Sequence, residues 1–141
     1  MPASDPQNAL ITRMLTTSKT IAVVGASANP DRPSHAVMRY MQHAGYRMIP
    51  VNPGLAGSII SGETCRAALA EIEVPVDMVD VFRQSAHCPA IADDAVAIGA
   101  RYLWLQIGVI SPEAAAIAAA GGLKVVMDRC PKIEHEARLG T

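Results

Sequence analysis

The chain has 141 residues, half of them hydrophobic, with 12 basic against 13 acidic side chains and a formal charge of −1. That is one ordinary domain with apolar residues enough to fill a core, and the balanced charge excludes the basic footprint that grips a nucleic acid backbone. No segment approaches membrane-spanning length, Met1 to Asn8 lacks the pattern of a secretory leader, and three cysteines without C-x-x-C spacing read as reduced thiols, so a cytoplasmic protein with no membrane and no nucleic acid partner is expected.

An amphipathic stretch around residues 9–15 predicts a lead-in helix, so that residues 1–18 precede a main body over 19–141 within one domain. The run Ile21-Ala22-Val23-Val24-Gly25 is apolar and β-branched, as in a strand covered on both faces. Pro33 and Ser34 open a helix in which Val37, Met38, Met41 and Ala44 recur at helical spacing, and Gly45 ends it. Residues 47–51 read as a strand, 64–70 as a short helix, 78–82 as a strand, 89–98 as a helix stopped by Gly99, and 102–106 as a strand. Ser111-Pro112-Glu113 starts a helix with a capping serine, Gly121-Gly122 ends it, and residues 123–127 form the last strand. Pro50 and Asp80 sit awkwardly inside two of these strands, where a missing donor or an unpaired charge costs stability.

Five short strands alternating with helices predict an α/β fold: a Rossmann-like, doubly wound parallel sheet with helices on both faces, in three layers. Ligands of such sheets bind beyond the carboxyl ends of the strands. Those positions are Gly25-Ala26-Ser27-Ala28, Asn52-Pro53-Gly54, Phe82-Arg83 and the loop from Gln106 to Val109, which together form one rim. Gly25 permits a tight turn, and the helix after it offers free N–H groups and a positive dipole to a pyrophosphate. Ser27 and Pro30 stand where a nicotinamide dinucleotide fingerprint has further glycines, and Asn52-Pro53 stands where that cofactor's ribose requires an acid. A neutral amide with Arg32 or Arg83 nearby suits a phosphorylated ribose instead. Ser27 serves equally as a helix-entry cap, Trp104 reads as core, and Phe82 reads as either core or rim.

These residues together resemble the CoA-binding domain family, stand-alone relatives of the amino-terminal domain of the succinyl-CoA ligase alpha subunit. The resemblance is carried by Val24-Gly25-Ala26-Ser27, Arg32-Pro33-Ser34, Ile49-Pro50-Val51-Asn52-Pro53, Val79-Asp80-Val81-Phe82-Arg83, Leu103-Trp104-Leu105-Gln106-Ile107-Gly108-Val109 and Met127-Asp128-Arg129-Cys130-Pro131. It implies coenzyme A or acyl-CoA as ligand, with Gly25, Ala26, Ser27 and Ala28 cradling phosphates and Asn52 and Pro53 flanking the nucleotide. Val81, Phe82 and Arg83 would line the adenosine end, Leu105, Gln106, Ile107 and Gly108 would face the pantetheine arm, and Arg32 and Ser34 would complete the site. The ligases add a phosphohistidine domain and a nucleotide-binding subunit for which this length leaves no room, so binding without chemistry is expected.

Two rivals stay open: an NAD(P)-dependent oxidoreductase on the same fold, and a subunit lending its CoA site to a separately encoded acyl-CoA ligase. Alanine-rich helix faces also permit a homodimer. His35, His43 and His87 share no ligand spacing, so no metal is expected. In the tail, Asp128 and Arg129 read as a pair fixing the last loop, with a Cys130 nucleophile assisted by His135 as the alternative. Should the pantetheine thiol approach Cys65, Cys88 or Cys130, a mixed disulfide follows under oxidation.

Overall fold

The computed structural model describes residues 6–140; Met1 to Asp5, the start of the predicted lead-in segment, lie outside the described residues. Helix α1 (Pro6–Thr17) leads into β1 (Thr20–Val24), α2 (Pro33–His43) and β2 (Arg47–Val51). A two-stranded hairpin, β3 (Ile59–Ile60) and β4 (Glu63–Thr64), precedes β5 (Met78–Val81), α3 (Cys88–Ala97) and β6 (Tyr102–Leu105). The chain ends with α4 (Pro112–Ala120), β7 (Lys124–Val126) and α5 (Pro131–Arg138).

The main sheet is parallel, in the order β2-β1-β5-β6-β7. Because residues alternate across a strand, Ile21, Val23, Met78 and Trp104 face one layer with Met14, Met38 and Met41 of α1 and α2. Ala22, Val24, Val79, Val81, Leu103 and Leu105 face the other, against Ile91, Ala92 and Ala95 of α3 and Ala114 and Ala118 of α4. This is the three-layer, doubly wound Rossmann-like arrangement. Strand order reverses at β1, with β2 on one side and β5 on the other, and such a switch point opens a crevice at the carboxyl ends of the central strands.

Pro50 is accommodated because β2 is the sheet edge: Val51 turns its carbonyl to Gly25 N–H of the β1 side, while Pro50 faces outward and accepts from Arg66 N–H at 3.0 Å. Asp80 has no such escape. It lies in the central sheet with none of its surface exposed and neither carboxylate oxygen bonded, and burial pushes its carboxyl well above the ordinary carboxylate value.

The helix expected over residues 64–70 does not form. Ser61 and Gly62, both at positive φ, turn the β3–β4 hairpin there, and the chain then follows the outer edge of β2, where Asn52 N–H bonds Arg66 O at 2.9 Å. Backbone bonding that covers an exposed edge thus takes the residues a helix would have used, leaving only a 3-10 turn at Leu69–Glu71. The glycine-rich stretch before it is also folded, with Gly57 N–H on Cys65 O at 2.9 Å and Cys65 N–H on Ser58 O at 2.8 Å. Helix α5 occupies the tail. Among the described residues, no helix is long and apolar enough to cross a membrane.

Candidate functional site

The loop after β1 is built on Gly25. Its φ is +87°, and a Cβ there would sit 2.6 Å from the carbonyl oxygen of Phe82, so only glycine lets the first loop close against the end of β5. Ser34, buried at the start of α2, accepts from Ser27 N–H at 3.2 Å. Ser27 Oγ in turn accepts from Asn29 N–H at 3.0 Å, so Ser27 shapes a local turn. It does not cap α2, whose N-cap position is Arg32 with no capping side chain. The N–H groups of Ala26, Ala28 and Ser34 have no acceptor among the described residues, at the positive end of the α2 dipole.

Asn52 ties two loops together. Its Nδ2 donates to Ala26 O at 2.9 Å and its Oδ1 accepts from Gly54 N–H at 2.9 Å. The amide expected to meet a ribose is therefore occupied on both sides, and its contribution is to hold the first loop in place.

These loops enclose a cavity of about 810 Å³, inside the range of roughly 300–1,000 Å³ typical of ligand sites. Of the predicted residues, Gly25, Ala26, Ser27, Arg32, Ser34, Asn52, Phe82, Arg83, Gln106, Ile107 and Gly108 line it. Ala28 and Pro53 are exposed outside the wall. Val81 and Leu105 are also off it, for a physical reason: the pleat turns them into the layer under α3 and α4, and the next residues along, Phe82 and Gln106, reach the cavity. Val109, the end of the fourth rim loop, also lines the wall, and Pro33, Leu55 and Gln84 join it beyond the predicted rim. Pro33 and Val109 lay within the motifs already singled out, whereas Leu55 arrives by the 3-10 turn Pro53–Leu55, which nothing in the sequence pattern announced.

The wall carries two arginines and no aspartate or glutamate. Neither the Arg32 nor the Arg83 guanidinium has an ion pair or hydrogen bond among the described residues. Gln106 is 8% exposed on the wall, and its Oε1 is buried without a donor among the described residues.

The tail does not form the pair expected of it. Asp128 Oδ1 accepts from Gly108 N–H at 2.7 Å and so pins the fourth loop, while Arg129 lies 3.8 Å from Glu134. His135 Nδ1 shares a 2.9 Å hydrogen bond with the Tyr40 hydroxyl, and no hydrogen bond joins it to Cys130 among the described residues. Trp104 is core, its indole N–H on Arg129 O at 2.9 Å. Cys65, Cys88 and Cys130 are free, buried and absent from the cavity wall. Burial pushes the Cys65 and Cys88 thiols up, which disfavours the reactive thiolate. His43 and His87 are exposed and His35 half-buried; among the described residues no group of three or more His, Cys, Asp or Glu is arranged around a metal site.

Comparison with known proteins gives three kinds of likeness. A sequence family described as the CoA binding domain matches residues 19–136. The uncharacterized protein YneT of Bacillus subtilis (strain 168) is 41% identical over 131 residues, 93% of this chain and 96% of that protein. A hypothetical protein from Pyrococcus horikoshii OT3 superposes with a TM-score of 0.91 at 33% identity, covering 99% of this chain and 97% of its own. The dinucleotide-forming acetyl-coenzyme A synthetase 1 of Ca. Korarchaeum cryptofilum shares the fold, with a TM-score of 0.70 at 22% identity over 84% of this chain and 28% of the synthetase.

Proposed function

The chain belongs to the CoA binding domain family, and from that premise we propose that it holds coenzyme A or an acyl-CoA in the cavity at the carboxyl ends of its strands, without carrying out a reaction itself. The observation that carries this reading is the wall: two unpaired arginines and the open start of α2 around one cavity free of carboxylates. Such a surface favours a polyanion, because each phosphate oxygen gains a charge-assisted hydrogen bond and meets no like charge.

The rest of the wall suits the rest of the molecule. Arg32 and Arg83 take the phosphates together with the amides of Ala26 and Ser34. Gln106, on the cavity wall, offers its side-chain amide to the amides of the pantetheine arm. Phe82 and Leu55 offer apolar surface to the adenine. The NAD(P) alternative is disfavoured at Asn52, where no carboxylate stands and the amide already holds Ala26 and Gly54.

A second reading draws on the Korarchaeum synthetase, 28% of which superposes on this chain: here the same site would serve a separately encoded ligase. Both readings require CoA to bind. Calorimetric titration with CoA, dephospho-CoA and NAD tests this. Tightest binding of CoA is expected, with dephospho-CoA weaker through loss of the ribose phosphate; preference for NAD would overturn the proposal.

A further inference from the structure

Most large apolar side chains are buried, yet Ile107 and Ile110 are 55% and 51% exposed on one short loop beside the cavity. That loop is not loose. Gly108 N–H is held by Asp128 at 2.7 Å, Ile110 N–H by Ser85 Oγ at 3.0 Å, and Val109 N–H by Gln106 O at 2.8 Å. The following helix starts on a Ser111 cap, 3.1 Å from Ala114 N–H. Four hydrogen bonds thus hold two isoleucines out in water, where each forfeits the free energy of burial.

The cavity beside this loop has two unlike sides. Arg32, Arg83 and the start of α2 make one side cationic, whereas Ile107 and Val109 make the wall at the β6 end apolar. Ile110 lies just past that end and does not line the cavity itself. A ligand with its phosphates on the arginines would direct its opposite terminus over this ledge.

We propose that the site selects an acylated CoA over the free thiol, with a medium-length aliphatic acyl chain lying across Ile107 and Ile110. This rests on the reading of the cavity as a CoA site and adds the substrate class. Free CoA ends in a small polar thiol that leaves the ledge wet, while an acyl chain of several methylenes covers it and removes apolar surface from water on both partners.

The test is calorimetric titration of wild type and Ile110→Ser with CoA, acetyl-CoA and octanoyl-CoA. Ile110 is exposed and off the cavity wall, so the substitution is expected to leave thermal unfolding and the affinity for free CoA unchanged. In wild type, octanoyl-CoA is expected to bind about tenfold or more tighter than CoA, with acetyl-CoA close to CoA; in Ile110→Ser most of that gain is lost. Equal affinities for CoA and octanoyl-CoA, or a gain that survives Ile110→Ser, would overturn the proposal. Failure of all three ligands to bind would instead remove the underlying CoA reading, and the acyl proposal with it.

Discussion

The side chain of Asn52, at the end of β2, donates to the carbonyl of Ala26, in the loop after β1, across 2.9 Å. With Oδ1 taken by Gly54 N–H, one donor and one acceptor fix the amide's orientation. Asn52→Asp would place an oxygen against the Ala26 carbonyl, losing a bond and adding repulsion. A cost of about 1–3 kcal/mol is expected, read as a lower thermal midpoint, together with weaker CoA binding because the first loop loses its tie. A variant as stable as wild type would refute the clamp.

Arg32 and Arg83 make no ion pair or side-chain hydrogen bond among the described residues, so the fold does not rest on their charges. Arg83→Ala and Arg32→Ala should each weaken CoA about 10- to 100-fold, as expected for losing a charge-assisted hydrogen bond, with little change in thermal midpoint. Added salt should weaken wild-type binding more than that of the double variant. Full affinity in the double variant, measured by calorimetry, would place the phosphates elsewhere.

Asp80 makes stability depend on pH in the direction opposite to a salt-bridged carboxylate. Burial holds its folded pKa well above the ordinary carboxylate value, so the folded chain holds a proton that the unfolded chain releases. Its contribution is fully favourable below the unfolded value and is lost as pH rises from there towards the folded one. The slope approaches ~1.4 kcal/mol per pH unit inside that window. Asp80→Asn should remove this loss, leaving stability flatter with pH and greater at neutrality, as measured by urea unfolding between about pH 4 and 7. Parallel curves for the two proteins would contradict it.

The three thiols are buried and none lines the cavity. Oxidation with diamide in the presence of CoA should leave the intact mass of the folded protein unchanged, with adducts appearing only after unfolding in urea. An adduct on the folded chain would show that one of these cysteines opens to the cavity.

The alternation of apolar runs with helix signals made the fold legible, since each strand buried on both faces must be written as an unbroken apolar segment such as Ile21 to Val24. The rim was legible for the same reason, because strand ends are visible in the sequence. The pleat at those ends was not: Val81 and Leu105 belong to the motifs that carried the resemblance but point into the core, and a one-residue phase decides it. The apolar residues near 64–70 fit helical spacing, but the edge of β2, invisible locally, claimed the adjoining backbone through Arg66. Helix α5 was signalled by Pro131 at its first turn and by the i,i+4 pair Lys132 and Glu136, a pattern hidden behind the chemically suggestive run from Asp128 to Cys130.

Where CoA binds is answered most directly by following the amide resonances of isotope-labelled protein as CoA is added. Binding in the proposed cavity predicts saturable shifts at the N–H groups of Ala26 and Ser34 and at the Gln106 side-chain amide, with the smaller hollow beside Leu10, Arg13 and Lys124 undisturbed. Shifts confined to that hollow, or none at millimolar ligand, would contradict it.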